Sequence, residues 1–248
     1  MAPVTEQDFF GGAIRGVVPQ RWIDASNLRE IPDHQELFLS PDTLSNVIIE
    51  INQRVSREDA LTTLANFSHQ HPTLAIGSGS APSATSETLD QAAALYHLND
   101  LCDEGDAMQI IIPPTQVTPA RLGASAPPGS SFSAYKGVVE FLTAPRRRGG
   151  RSAVPTNGTS ASVTDAAVAG ATLDGASGAP STSKLTCHYL LVRLAAQATD
   201  LLVFFNVPHE EFDKNGDVRS LSREEAVAEE TVSALVDRFE IRDWGLFV

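Results

Sequence analysis

Apolar and polar positions alternate loosely from Phe9 to Val18, and this spacing predicts a strand that stops at Pro19, which cannot extend a ladder. Trp22-Ile23-Asp24-Ala25-Ser26 reads as a turn, with Asp24 or Ser26 placed to bond nearby backbone N–H groups. Glu36–Leu39 and the β-branched run Val47–Ile51 predict two further strands. A helix is expected after Ser56, which stands as N-cap ahead of Glu58 and Asp59 in the first turn. A second helix is expected from Ser86 to about Glu104, with Leu89, Ala92, Ala93, Tyr96 and Leu98 on one side and Gly105 as its stop.

Further strands are expected at Met108–Ile112, ended by Pro113-Pro114, and at Phe132–Leu142. Leu185–Leu194 and Leu201–Val207 bracket a short connection that suits a hairpin. A last helix is expected at Ser222, where Glu225 completes a capping box and Val232, Leu235 and Phe239 supply part of the buried face. Strands joined through short links, with helices between groups of them, predict an α+β fold: an antiparallel sheet flanked by helices. No repeat of solenoid period occurs.

Three stretches break the periodicity. Residues 71–86 are expected to form a loop, and residues 115–131, rich in Pro, Ala and Ser, are expected to be mobile. Residues 144–183 consist mainly of Ala, Gly, Ser, Thr and Pro, interrupted by Arg146-Arg147-Arg148. Such a composition buries too little apolar surface to offset its ordering entropy, so this segment reads as a disordered insertion. Because it lies between two predicted strands, residues 1–248 are expected to form a single domain carrying three insertions.

Charge narrows the partners. Lys and Arg number 18 against 31 Asp and Glu, a net charge of −13, which disfavours direct binding to nucleic acid and favours basic protein surfaces. Cys102 and Cys187 form neither a disulfide framework nor a Cys-x-x-Cys pair. The acidic start lacks the cationic end of a signal peptide, and no run reaches the roughly 20 apolar residues that span a bilayer. An intracellular protein without a membrane segment is expected.

Candidate chemistry is sparse. Gly77-Ser78-Gly79-Ser80 lacks the Lys-Ser/Thr of a phosphate loop, and His69 and His71 have no third metal ligand nearby in sequence. Asp213-Lys214-Asn215-Gly216-Asp217 imitates a calcium loop, but Val218 stands where the sharp turn needs glycine. Cys187 and His188 are neighbours on a predicted strand and point to opposite faces, which is wrong for a nucleophile and its base. Neither catalytic residues nor metal or cofactor sites are expected.

The informative stretch runs nearly unbroken from Phe10 to Phe38. Phe10-Gly11-Gly12-Ala13-Ile14 leads through Val17-Val18-Pro19 to Ile23-Asp24-Ala25-Ser26, then to Leu28-Arg29-Glu30-Ile31-Pro32-Asp33-His34-Gln35-Glu36. It resembles the signature of the Ran guanine nucleotide release factors, nuclear-import proteins that bind the GTPase Ran. Leu95–Leu101, Leu190–Leu194, Thr199–Val203, Asn206-Val207-Pro208 and Asp243–Phe247 resemble later family segments more thinly. The three insertions depart from the family.

The resemblance implies an α/β/α sandwich of the kind found in the PsbP proteins, and a monomer of nucleus and cytoplasm that binds Ran and promotes release of its nucleotide, chiefly GTP. It carries partner contact to Asp33 and Glu36, and more weakly to Asp24, Arg29 and Glu30. Each has a plainer role on its own chemistry: Asp24 as a turn cap, Arg29 as a brace, the other acids as solvated charges. An adaptor of the same fold that docks another basic protein is the alternative, and an undetected hydrolase is a third.

Overall fold

The structure is a computed structural model that describes residues 3–28, 30–70, 84–103, 105–143 and 182–247. It opens with a hairpin of β1 (Val4–Phe9) and β2 (Ile14–Pro19), where a single strand from Phe9 was expected. The separation has a backbone cause. Phe10, Gly11 and Gly12 all take positive φ, at 49°, 65° and 93°, and fold the chain into a 3-10 turn. β1 escapes detection because Thr5, Glu6, Gln7 and Asp8 are mostly polar, on a small sheet with one face in water.

β3 (Ile23–Asp24), β4 (Gln35–Leu39) and β5 (Asn46–Gln53) follow, then helices α1 (Arg57–Gln70) and α2 (Ser86–Asp100). β6 (Ala107–Val117) is longer than expected and passes straight through Pro113-Pro114. It tolerates them because it is an edge strand whose pairing shifts register between Ile110 and Thr115. Part of the stretch expected to be mobile packs instead: α3 (Ala120–Ser125) inserts Leu122, fully buried, into the core.

β7 (Phe132–Thr143), β8 (Ser183–Leu194) and β9 (Thr199–Pro208) form the middle of the fold. α4 (Glu210–Asn215) ends at Gly216 with φ 63°, so the calcium-loop mimic is a helix end followed by a cap. α5 (Val218–Arg238) is capped by Asp217, which accepts the Ser220 N–H at 3.0 Å; Ser222 lies inside it, so the expected capping box does not form. β10 (Glu240–Ile241) returns to pair with β2. Residues 71–83 and 144–181, which hold most of two expected insertions, lie outside the described residues.

The main sheet has the order β3-β4-β5-β9-β8-β7-β6 with every neighbouring pair antiparallel. β8 and β9 are central and buried on both faces, which explains their near-continuous apolar runs. On one face Cys187, Tyr189 and Leu191 meet Phe67 of α1 and Leu95 and Leu98 of α2. On the other, Leu190, Val192 and Leu194 share a core with Val232 and Leu235 of α5 and with Phe9, Ile14 and Val17 of the small sheet. The expected sandwich is present, with the β1-β2-β10 sheet as an addition to its second face.

A buried ionic cluster ties one end of these layers together. Arg193 donates to Asp200 at 2.9 Å, to Asp90 of α2 at 2.6 Å and to the Val55 carbonyl at 2.8 Å. Asp200 also accepts the Val55 N–H at 2.9 Å and lies 3.0 Å from His97. Burial works against its charge, but His97, Arg193 and the Val55 amide outweigh burial and hold the carboxyl below its ordinary range. Among the described residues, no helix is long and apolar enough to cross a membrane.

Candidate protein-binding site

The Phe10–Phe38 signature forms one edge of the main sheet and the corner joining it to the small sheet. β3 pairs with the far end of β4, placing Ile23 opposite Leu39 and Asp24 opposite Phe38. Asp24 then caps a 3-10 turn over Ala25–Asn27, accepting the Ser26 N–H at 2.8 Å and its hydroxyl at 2.6 Å. Ala25 is fully buried and pins the turn to the core, while Leu28 closes it by donating to the Ala25 carbonyl at 2.9 Å.

From there the chain runs to β4 through Glu30, Pro32, Asp33 and His34, all exposed. The Gln35 N–H donates to the Pro32 carbonyl at 2.8 Å, and the Ile51 N–H to the His34 carbonyl at 2.9 Å. These two bonds fix the backbone beneath Asp33 and leave its side chain in water. Arg29 lies outside the described residues.

Glu36 behaves differently. It is half-buried and accepts the backbone N–H of Phe10, binding β4 to the strained 3-10 turn at the end of β1. Burial pushes its carboxyl above the ordinary range, the Phe10 bond opposes that rise, and the nearby charge of Asp24 adds to it. Glu36 is therefore not the free surface acid that the motif alone suggests. Its partner is 26 residues away in sequence, beyond the reach of any local pattern.

Of the five signature residues, the structure leaves Glu30 and Asp33 exposed, commits Asp24 and Glu36 to internal bonds, and does not describe Arg29. Sequence reasoning passed over Ile23 and Leu28, apolar side chains that stand exposed on either side of the capped turn. The available signal was their place beside turn chemistry, where an aliphatic residue has little core to enter.

Cys187 and His188 face opposite sides of β8 as expected: Cys187 lies in the α1/α2 core, and His188 looks toward Glu229 and Lys136. Burial pushes both thiols up, Cys102 to about 11, which suits packing rather than nucleophilic attack. Among the described residues, no group of three or more His, Cys, Asp or Glu is arranged to hold a metal.

Comparison with known proteins gives this edge its context. The family model described as Ran-interacting Mog1 protein matches residues 7–208. The chain belongs to this family. The Homo sapiens Ran guanine nucleotide release factor is 41% identical to this Mog1-family chain over 51 residues, covering 21% of the chain and 27% of the human protein. The Schizosaccharomyces pombe nuclear import protein mog1 is 30% identical over 105 residues, covering 42% of the chain and 39% of that protein. The chain thus spans about a quarter to two-fifths of these curated relatives' lengths, 27% and 39%. The crystal structure of the Saccharomyces cerevisiae Ran-binding protein Mog1p covers 100% of both chains at 18% identity with a TM-score of 0.51, a likeness of fold.

Proposed function

We propose that this Mog1-family chain binds the small GTPase Ran and promotes release of its bound guanine nucleotide, chiefly GTP, in support of nuclear protein import. The observation that carries this reading is the family match over residues 7–208, which includes the whole Phe10–Phe38 signature. The sheet edge supports it, since Glu30 and Asp33 stand exposed and the backbone beneath Asp33 is held by two hydrogen bonds. The net charge of −13 favours approach to a basic protein surface.

The action needs no covalent chemistry. A factor accelerates release by binding the nucleotide-poor state of its partner more tightly than the loaded state, and that difference in affinity is the driving force. Glu30, Asp33 and Arg29 are the contact residues in this reading, while Asp24 and Glu36 hold the shape of the surface that presents them. The chain acts as a monomeric single domain, shared between nucleus and cytoplasm, with the segments at 71–86, 115–131 and 144–183 inserted into it.

Release of labelled GTP and of labelled GDP from purified Ran, with and without the full chain, tests the proposal. Accelerated release, larger for GTP, is expected. Unchanged release of both nucleotides overturns it and leaves the adaptor reading.

A further inference from the structure

Ile23 and Leu28 are large aliphatic side chains held in water by the fold around them. Ile23 is 43% exposed and Leu28 is 66% exposed. Ile23 is fixed by the pairing of β3 with β4, and Leu28 by its N–H bond to the Ala25 carbonyl. Between them lie the Asp24 cap and the fully buried Ala25. The cap and the buried Ala25 hold the backbone of the turn that presents both groups.

The pair is also compact. An extended residue advances about 3.3 Å and a 3-10 residue about 2 Å, so the two lie within about 13 Å of each other. The exposed acids Glu30 and Asp33 follow on the same short connection to β4. An apolar centre with a charged margin is the anatomy of a protein contact: packed anchors slow dissociation, and marginal charges speed encounter and select the partner's sign.

We propose that Ile23 and Leu28 are the apolar anchors of the Ran contact, seated in an aliphatic recess of the partner whose margin carries Lys or Arg opposite Glu30 and Asp33. This assignment rests on the Ran reading above. It divides the labour: Ile23 and Leu28 govern how long the complex lasts, and Glu30 and Asp33 govern how fast it forms.

Association and dissociation rates of the full chain with purified Ran, at low and high salt, test the division. Ile23→Ser/Leu28→Ser is expected to dissociate at least about tenfold faster while associating within about twofold of the parent, as anchor loss acts mainly on the off-rate. Glu30→Lys/Asp33→Lys is expected to associate more slowly and with a weaker salt dependence, and to dissociate near the parental rate.

Ile111→Ser/Ile112→Ser, the same change at the opposite edge of the sheet, is expected to alter neither rate. Melting temperatures are measured alongside, and Leu28→Ser alone, at the more exposed position, serves if the double variant is less stable. A parental dissociation rate for the Ile23→Ser/Leu28→Ser chain, or for stable Leu28→Ser, overturns the anchor assignment and leaves the Ran reading standing. An equal effect from the Ile111→Ser/Ile112→Ser control overturns it as well. A parent chain that binds Ran in neither nucleotide state overturns both.

Discussion

Glu36 accepts the Phe10 N–H from a half-buried position, and burial raises its carboxyl above the ordinary range. An acid whose folded pKa exceeds its unfolded value loses stability as pH rises between the two, so its charge is a net cost at neutral pH. Glu36→Gln removes that charge and keeps an oxygen for the Phe10 amide. Its melting temperature at pH 7 should equal or exceed the parent's, with the difference shrinking as pH falls below the ordinary carboxylate range. Glu36→Ala should cost about 1–3 kcal/mol, because the amide loses its acceptor. A thermal melt series across pH checks both, and a Glu36→Gln chain clearly less stable at pH 7 contradicts the assignment.

His188 titrates the opposite way. Burial lowers its pKa to about 4, with Glu229 opposing that shift and Lys136 reinforcing it. The unfolded chain then binds the extra proton between about pH 6.5 and 4, and stability should fall through that window by up to about 3 kcal/mol. Replacing His188 with Gln should flatten this part of the profile. At this scale, Asp24 was legible as a cap because its acceptor bond is local. The Glu36 role was not, because nothing near it in sequence announces Phe10.

The β6-β7-β8 ladder shows what sequence pattern reveals about an element and what it hides. β7 and β8 were readable from their apolar runs, and the hairpin of β8 with β9 from the short connection between them, whereas the pairing of β7 with β8 across the long connection was not. The full length of β6 was not, since two prolines look like a stop until the strand is known to be an edge. The start of α5 was missed for a related reason: Ser222 and Glu225 have the right spacing, but Asp217 caps the helix five residues earlier. Inside this ladder Gly137 allows a close approach. A Cβ there would press on the Tyr189 hydroxyl and lie 2.7 Å from the Ile112 carbonyl oxygen. The Tyr189 hydroxyl is buried and has no hydrogen-bond partner among the described residues. Tyr189→Phe should therefore leave stability unchanged or raise it by up to about 1 kcal/mol. Gly137→Ala should cost about 1–3 kcal/mol by overpacking. In the Tyr189→Phe background that cost should shrink without vanishing, because the Ile112 carbonyl stays in place. A double-mutant cycle measured by denaturant melts gives the coupling directly. A marked loss of stability in Tyr189→Phe alone shows that the hydroxyl is bonded after all.

At the scale of the whole molecule, the sandwich brings the two ends of a long connection side by side. Thr143 closes β7 and Ser183 opens β8, and the two are cross-strand partners in the same ladder. Cross-strand partners have Cα atoms about 4.5–5.5 Å apart, a gap that a few residues bridge. Replacing residues 144–182 by a four-residue Gly-Ser link should therefore preserve every described strand pairing. Closing a loop roughly ten times shorter costs less entropy by about 2 kcal/mol, at about 0.6 kcal/mol per doubling. The shortened chain should melt at or above the parental temperature. Under the proposed function it should also release GTP from Ran at the parental rate, because Ile23, Leu28, Glu30 and Asp33 lie on the opposite edge of the sheet from β6, beside β4. The two measurements separate two roles for the segment. A lower melting temperature means that residues 144–182 pack against the sandwich. Unchanged melting with lost release means that Arg146-Arg147-Arg148 or its neighbours contribute to the partner contact, and that the Phe10–Phe38 edge is only part of it.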